Sequence, residues 1–378
     1  MNLIKLAVVH WFPLEQYPPV TNLLDDFAAS TPWKISAYSC TNVRGLAAYQ
    51  HSGITLKRCS FPGGSILKRL FAYIAFPLIV FTRLLLSRPN MLLYVEPHSA
   101  FPVFLYCLVA RRCRLFIHYH EYRDRDEYLQ PGMRLVRFYH WLEKKHLFRR
   151  AEWISQTNED RNRMFHEDFP QVDETKLRVL PNYPSADWGR GLRSTWVRDD
   201  QSLRLVYVGA VSLRDTFVGP LVDWLCGDEA PQNVTLDIYS YNSDRETREF
   251  LNSKSCEAVR FHLHGIDYHD IPSLLVDFHV GLILYKANSR NYVYNASNKL
   301  FEYLAMGLDV WFPPQMLGVR PYARADEEPR ILETDFTNLR EFDVTLRRQR
   351  AGLPIAACDY FCEAALKPLK LQMMQQSH

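Results

Sequence analysis

Short apolar runs alternate along the first half of the chain with longer segments in which apolar residues recur at helical spacing. The apolar runs predict strands at 3–10, 33–39, 54–59, 91–95, 114–119 and 152–156. The longer segments predict helices at 20–29, 67–86, 101–111 and 133–148. Strands that alternate with helices indicate βαβ units and a parallel sheet.

The same pattern restarts after a segment rich in proline. Residues 177–184 contain Pro181, Asn182 and Pro184 and are predicted to be a hinge. Further strands are predicted at 203–209, 234–239, 259–263, 279–285 and 309–312, and a last helix at about 355–371. We therefore expect an α/β protein with two Rossmann-like domains, 1–181 and 182–354, followed by a C-terminal helical segment, 355–378. Ligands of such folds bind beyond the carboxyl ends of the strands, so a central cleft is the expected site.

Composition supports an ordered protein with two cores. The chain has 378 residues, of which 47% are hydrophobic and 23% are charged, and this balance excludes intrinsic disorder. Residues 1–9 lead directly into a strand without a cleavage site of secretory type, which favours a cytoplasmic location. The eight cysteines show no metal-ligand spacing, so we expect all eight to be reduced and no metal site to be present.

The segment 297–310, SNKLFEYLAMGLDV, carries the clearest functional pattern. Ser297 and Asn298 are residue types that cap helices, and the free amides and dipole of a capped helix favour a phosphate group. Glu302 lies about one turn further on, where a carboxylate can accept hydrogen bonds from the two hydroxyls of a ribose. Gly307 is expected to end the helix. Capped helices with an early glutamate also occur in α/β proteins that bind no nucleotide.

This segment resembles the donor-binding segment of glycosyltransferases with the GT-B fold. It is most similar to the retaining bacterial transferases whose signature is Glu, seven residues, Glu. Glu302 matches the second glutamate, whereas Tyr294 stands at the position of the first. The resemblance implies a nucleoside diphosphate sugar as donor substrate, no metal ion or other cofactor, retention of anomeric configuration, and a last helix that crosses back to the first domain. It also implies transfer of a hexose or related sugar to a glycan or lipid-linked acceptor in cell-surface polysaccharide synthesis.

Other residues of the second domain fit a diphosphate-binding role. Gly209 follows the first predicted strand and allows a tight turn, and Arg214 could reach a diphosphate from there, although it could equally be a solvated surface residue. Lys286 follows the strand 279–285 and could neutralise a leaving diphosphate. Lys299 is the alternative cation, unless it points to solvent.

Two strand ends of the first domain carry histidine beside an acidic residue. His118 and His120 share one face of the strand that ends near Glu121, and His120 resembles the sugar-contacting histidine of the family. Glu96 and His98 close the neighbouring predicted strand and are the rival pair. Glu121 or Glu96 would be the general base if the enzyme inverts configuration.

Charge is distributed unevenly. No Asp or Glu occurs from Phe27 to Val95, where the chain average predicts about eight. The stretch does contain eight basic residues: Lys34, Arg44, Lys57, Arg58, Lys68, Arg69, Arg83 and Arg88. Its apolar helix at 67–86 is expected to be too short between charges to span a bilayer, and fits either an anionic membrane surface or a buried crossover helix. A net charge of +3 and the lack of a recognised motif argue against nucleic acid.

Two alternatives to a transferase remain. One is a sugar-nucleotide epimerase of the same fold, which needs no acceptor. The other is a catalytically silent nucleotide-sugar binding module, which the tyrosine at position 294 and the lack of a glycine-rich loop after the first strand favour.

Overall fold

A computed structural model describes residues 4–63, 66–189, 202–254, 256–339 and 356–375. The chain folds into two structural units. Unit 1 contains Met1–Asn182 and Cys362–His378, and unit 2 contains Tyr183–Phe361. Each unit is built on one parallel sheet.

The sheet of unit 1 has seven strands in the order β3-β2-β1-β4-β5-β6-β7. Their bounds are β1 Lys5–His10, β2 Lys34–Thr41, β3 Ile54–Ser60, β4 Met91–Val95, β5 Arg114–His118, β6 Trp153–Gln156 and β7 Leu177–Val179. Every strand pair is parallel, and the central strands are continuous apolar runs because helices cover both of their faces. The carboxyl ends of β1, β4 and β5 therefore lie side by side.

Helices connect and cover these strands. Their bounds are Pro18–Ser30, Ile66–Ser87, Ala100–Val109, Arg125–Leu129, Arg134–Leu142, Phe148–Arg150, Glu159–Asp168 and Cys362–Met374, with a π-helical turn at Glu143–Leu147. The last helix packs against Pro18–Ser30, and Lys370 forms an ion pair with Asp26 at 2.8 Å. This helix therefore belongs to unit 1, although it follows unit 2 in the sequence.

The sheet of unit 2 has six parallel strands in the order β10-β9-β8-β11-β12-β13. Their bounds are β8 Leu203–Val208, β9 Val234–Tyr239, β10 Val259–His262, β11 Val280–Leu282, β12 Asp309–Phe312 and β13 Ile331–Glu333. The helices are Val218–Leu225, Arg245–Ser253, Ile271–Leu275, Arg290–Val293 and Asn298–Ala305. The two sheets confirm the predicted pair of Rossmann-like domains.

Several details differ from the sequence-based expectation. Residues 177–179 are not a hinge but β7, the edge strand that pairs with β6. The sequence does not predict β13, because only three of its residues are in the sheet. The predicted helix at 133–148 is interrupted by the π-helical turn at Glu143–Leu147. The last helix begins at Cys362, later than its predicted start near Ile355, which itself lies outside the described residues.

The expectation that all cysteines are reduced is wrong for one pair. Cys226 and Cys256 form a disulfide in unit 2. The other six are free and mostly buried. The sequence spacing of 30 residues between the paired cysteines carries no signal of this contact, since the helices Val218–Leu225 and Arg245–Ser253 bring their ends together only in the fold.

The helix Ile66–Ser87 is not the buried crossover helix that was one of the two expectations. Its stripe Ala72, Phe76, Val80 and Leu84 is buried against the core of unit 1, but most of its other apolar side chains are exposed. By length and composition, Leu70–Ser87 could cross a membrane, and only 28% of it is buried. By length and composition, the expectation that this helix is too short to span a bilayer is therefore wrong. The core helix of a soluble protein can have the same length and composition.

Candidate functional site

The helix Asn298–Ala305 begins at a capped N-terminus near the carboxyl ends of the strands of unit 2. Ser297 has extended backbone angles, and its Oγ accepts a hydrogen bond from the Lys299 N–H at 3.4 Å. Most of the helix is buried against β11 and β12, which fixes its direction. The N-terminal amides and the helix dipole together favour an anion at this end.

Glu302 lies one turn into this helix and is 5% exposed. Its Oε1 accepts a hydrogen bond from Asn298 Nδ2 at 2.8 Å. Burial raises the pKa of Glu302, while Lys299 and the Asn298 amide oppose that rise. The carboxyl group is thus held at a fixed place beside the capped end, as recognition of a diol requires.

Lys299 folds back over the end of β8. Gly209 follows β8 with φ +141°, and a Cβ there would lie 2.5 Å from Lys299 Cε and 2.9 Å from Lys299 Nζ. Glycine is therefore required at position 209 for the lysine to take this path. The alternative that Lys299 points away into solvent is wrong, because its ammonium lies beside the turn after β8.

Two further predicted cations are already engaged within unit 2. Lys286 Nζ donates to the carbonyl of Leu213 at 2.6 Å and lies 5.9 Å from the centre of the Phe217 ring. Arg214 has an 87% exposed side chain that pairs with Asp215 at 3.1 Å. Of the three predicted cations, only Lys299 lies beside the capped helix and Gly209.

Arg214 also lines a cavity of about 500 Å³ in unit 2. Its walls come from residues after β8, β9 and β11, including Ser212, Asn242, Tyr285 and Tyr292. Tyr285 and Tyr292 are stacked with ring centres 5.2 Å apart. The cavity therefore combines aromatic walls with polar groups at the strand ends where ligands of parallel sheets bind.

Tyr294 occupies a crowded turn. It ends the helix Arg290–Val293, and the Gly318 N–H donates to Val293 O at 3.0 Å. A Cβ on Gly318 would lie 2.5 Å from the Tyr294 carbonyl. The backbone at the position of the missing glutamate is thus fixed by close packing against residue 318.

In unit 1, Glu96 forms the turn that leaves β4. Its φ of +66° is in the left-handed region, which costs energy for a residue with a side chain. Glu96 Oε1 accepts the backbone N–H groups of His120 at 2.8 Å and Glu121 at 3.1 Å. Burial raises the pKa of Glu96 to about 7 in spite of these bonds and the nearby Arg123 guanidinium.

His120 is buried beside this turn. Its Nδ1 lies 3.0 Å from Asn182 Oδ1, so Nδ1 carries the proton and Nε2 is left as an acceptor. Nε2 has no partner among the described residues. Burial lowers the pKa of His120 to about 4, with a smaller opposing effect from Asn182, so the ring is neutral at neutral pH. His118 is held by Ser155, with Nδ1 2.8 Å from Oγ.

His98 and His10 complete a histidine cluster with His120. Burial lowers the pKa of His98 to about 3 and that of His10 well below its usual range. The His10 and His120 rings lie 6.4 Å apart, and Phe12 lies between His10 and His98. The two strand ends that the sequence treated as rivals therefore form one cluster.

The sequence pattern alone does not place His10, Asn182 or Arg161 in this cluster. His10 ends β1, which lies between β2 and β4, so only the strand order of the fold brings it near the ends of β4 and β5. Arg161 is fully buried and donates to the His120 carbonyl at 2.8 Å. Glu121 has a half-exposed side chain that pairs with Arg123 at 3.0 Å. Of the two predicted bases, only Glu96 lies among the histidines.

Within the described residues, no three His, Cys, Asp or Glu side chains are grouped as metal ligands. Neither a protein-family model nor a curated protein sequence matches the chain.

Solved structures do match over almost the whole length. The lipopolysaccharide outer core galactosyltransferase WaaB has a TM-score of 0.62 at 11% identity, with 98% of this chain and 99% of that chain covered. Anabaena HepE in complex with UDP and glucose has a TM-score of 0.64 at 11% identity, with the same coverage. The chain has the GT-B fold.

The GT-B fold is not restricted to transferases. A putative UDP-N-acetylglucosamine 2-epimerase from Listeria monocytogenes matches with a TM-score of 0.63 at 11% identity, covering 98% of this chain and 96% of that chain. A GT-B chain can therefore carry more than one activity, and the residues of the site must decide between them.

Proposed function

We propose that the chain is a glycosyltransferase that moves a hexose or related sugar from a nucleoside diphosphate sugar to a hydroxyl of a glycan or lipid-linked acceptor in cell-surface polysaccharide synthesis. One arrangement carries this proposal. A capped helix N-terminus, the Lys299 ammonium over Gly209 and the buried Glu302 lie together in unit 2. Anion-binding groups one turn from a diol-binding carboxylate match the diphosphate and ribose of such a donor.

The donor contacts follow from this arrangement. The free amides at Ser297 and Asn298 and the Lys299 ammonium would bind the diphosphate and stabilise its negative charge as the sugar leaves. Glu302, positioned by Asn298, would accept hydrogen bonds from the ribose. HepE, which was solved with UDP and glucose, makes uridine nucleotides the first donors to test.

The histidine cluster would contact the reacting sugars. His120 is neutral and presents an unprotonated Nε2, which can accept a hydrogen bond from a sugar hydroxyl. His120→Asn should lower turnover roughly a hundredfold, the usual scale for a positioned polar group. Nucleotide affinity should hardly change, since the donor contacts lie in unit 2.

A cavity of about 340 Å³ in unit 1 is suited to the acceptor. Trp11, Phe12 and Tyr73 supply aromatic walls, and Thr41 and Lys68 supply polar groups. Aromatic faces bind the apolar faces of sugar rings, and a lysine suits a phosphate of a lipid-linked acceptor. Thr41→Phe should fill this cavity and raise the acceptor KM without changing donor affinity.

We further propose that transfer needs no metal ion, because Lys299 and the helix amides supply the positive charge at the diphosphate. Turnover should therefore survive EDTA. The resemblance of the segment 298–310 implies retention, whereas Glu96 is a suitable base for inversion because its pKa is about 7. The anomeric configuration of the product, read by NMR, decides between them.

An epimerase is the second candidate, since the Listeria epimerase fold matches as well as the transferases do. A silent binding module is the third. Release of nucleoside diphosphate from UDP-sugars separates the three. A transferase releases it faster with acceptor, an epimerase changes the sugar without acceptor, and a binding module does neither. Acceptor-independent epimer formation would overturn the transferase proposal.

A further inference from the structure

Three neighbouring helices of unit 1 expose apolar side chains on their outer side. The helices Ile66–Ser87, Ala100–Val109 and Arg134–Leu142 are in contact, with Tyr139 donating to the Tyr73 carbonyl at 3.0 Å and stacking on Phe101. Their exposed apolar side chains are Leu67, Leu70, Phe71, Ile74, Leu78, Ile79, Leu85, Leu86, Leu108, Val109, Phe138 and Trp141. We call this set the apolar face.

The apolar face is separate from the core of unit 1. Within Ile66–Ser87 the core contacts are made by another stripe, including Phe76 and Val80, which are at most 1% exposed. Phe71 on the outer side is 62% exposed. Surface helices of soluble proteins usually present polar residues on the side away from the core. An extended exposed apolar surface of this kind marks a binding surface.

The same elements expose positive charge and no negative charge. Across 66–87, 100–112 and 134–150 the only acidic residue is Glu143, which is fully buried. Among the side chains that the structure describes in these segments, the exposed basic residues are Lys68, Arg83, Arg111, Arg112, Arg134, Arg137, Lys144, Lys145 and Arg149. The whole chain has 42 acidic residues and a net charge of only +3, so this exclusion of acid is local.

Cations and aromatic rings are interleaved on this surface. Lys145 Nζ lies 4.9 Å from the centre of the exposed Trp141 ring, and Arg137 adjoins the exposed Phe138 in the sequence. Aromatic rings and basic side chains are both favoured at the boundary between lipid headgroups and acyl chains. Nucleic acid would use the positive charge but has no need of exposed Leu and Ile.

We infer that the apolar face docks in the plane of an anionic bilayer, with its aliphatic and aromatic side chains at the acyl boundary and its cations among the headgroups. The buried stripe with Phe76 keeps Ile66–Ser87 packed on the sheet of unit 1, so the helix lies on the membrane rather than crossing it. Such a surface suits the cytoplasmic leaflet, where anionic lipids are concentrated. This inference does not rest on the proposed transferase activity.

Co-sedimentation of the full chain with vesicles tests the inference without any nucleotide sugar. Wild-type protein should bind vesicles of phosphatidylcholine mixed with phosphatidylglycerol at low salt and bind pure phosphatidylcholine vesicles much more weakly. Arg83→Glu, Arg111→Glu and Arg112→Glu combined should weaken binding to the anionic vesicles roughly a hundredfold. Phe71→Gln, Ile74→Gln and Leu78→Gln combined should weaken binding at least tenfold, and the loss should persist at high salt, where the electrostatic attraction is screened.

Matched controls lie elsewhere on the surface. Leu371→Gln with Met374→Gln removes exposed apolar side chains from the helix that packs against Pro18–Ser30, and Arg245→Glu reverses an exposed cation of unit 2. Both controls should bind vesicles as wild type does. All substituted side chains are exposed, so circular dichroism should show unchanged melting in every variant.

Three results would overturn the inference. The first is that wild-type protein does not co-sediment with anionic vesicles at low salt. It could bind single-stranded DNA as tightly as vesicles, with the Phe71, Ile74 and Leu78 variant unaffected, which would show a general polyanion surface. It could form a dimer without vesicles that the same variant dissociates, which would assign the apolar face to a second copy. Loss of donor binding, by contrast, would contradict only the proposed transferase.

Discussion

The carboxylate of Glu96 accepts the backbone N–H of His120 at 2.8 Å, which ties the end of β4 to the end of β5. The strained φ of Glu96 and the placement of His120 are therefore parts of one arrangement. Glu96 Oε2 and His120 Nε2 are both buried without partners among the described residues. Buried polar groups left unpaired in this way are typical of functional sites.

The raised pKa of Glu96 predicts a pH-dependent cost to stability. Between an unfolded pKa near 4.5 and a folded pKa of about 7, the native state binds more protons than the unfolded state, so stability falls as pH rises through this range. The full cost above pH 7 is about 3 kcal/mol. Glu96→Gln cannot ionise. The free energy of unfolding of Glu96→Gln minus that of wild type should therefore be about 2–3 kcal/mol larger at pH 8 than at pH 5. Urea unfolding at pH 5 and pH 8 measures this difference in unfolding free energy. A difference that is the same at both pH values would contradict the prediction.

The buried histidines predict the opposite dependence on the acid side. The pKa values of His98 and His120 fall to about 3 and about 4, and those of His10 and His118 fall well below 6.5. Below pH 6.5 the unfolded state binds more protons, so stability is lost as pH falls towards 4. Each histidine contributes a slope of up to about 1.4 kcal/mol per pH unit.

The test of this dependence is a single substitution in the cluster. His98→Asn should reduce the slope of unfolding free energy against pH by about one histidine's share between pH 6 and pH 4. An unchanged slope in His98→Asn would mean that this histidine is not kept neutral by the fold.

The path of Lys299 over Gly209 predicts a specific loss of donor binding. In Gly209→Ala the new Cβ would meet Lys299 Cε at 2.5 Å and displace the ammonium from the turn. Donor affinity should fall at least fivefold, as it should in Lys299→Met, and the double variant should lose little more than either single variant. Gly307→Ala, at another glycine with positive φ whose new Cβ would meet no atom within 4 Å, is the control and should not alter affinity. Additive losses in the double variant would show that Gly209 acts separately from Lys299.

A buried network beneath the site predicts a large effect on stability. Glu143 is fully buried and accepts hydrogen bonds from Tyr94 at 2.8 Å and Tyr119 at 2.9 Å. Glu143→Leu removes the acceptor of both hydroxyls and the partner of His140, whose Nδ1 lies 2.8 Å from Glu143 Oε2, and should cost about 3–5 kcal/mol. Glu143→Gln keeps an acceptor for the hydroxyls and should cost less. Adding Tyr94→Phe and Tyr119→Phe to Glu143→Leu should restore part of the loss. Thermal melting measures the stability of each variant. Equal losses of stability in Glu143→Leu and Glu143→Gln would contradict this prediction.

The parallel-sheet architecture could be predicted from the sequence because buried parallel strands are continuous apolar runs, as β1 and β4 are. The capped helix at Ser297 could be predicted because capping depends on local sequence. The grouping of His10 with His98 and His120 could not, since it depends on strand order. The disulfide between Cys226 and Cys256 and the engagement of Lys286 by the Leu213 carbonyl are tertiary contacts without local signals. The exposure of the apolar face on Ile66–Ser87 could not be predicted, because composition does not determine which side of a helix packs against the core.

Isothermal titration calorimetry of nucleoside diphosphates with Glu302→Gln tests the central claim most directly. UDP is the first ligand to use, and GDP, ADP and dTDP follow if it does not bind. Glu302→Gln keeps the shape of the side chain but removes its charge, and charged hydrogen bonds contribute about 1.5–3 kcal/mol, so Kd should rise at least tenfold. Glu249→Gln, at an exposed carboxylate of unit 2, should bind as wild type does. A wild-type Kd in Glu302→Gln, or no binding of any nucleoside diphosphate to the wild-type chain, would contradict the account.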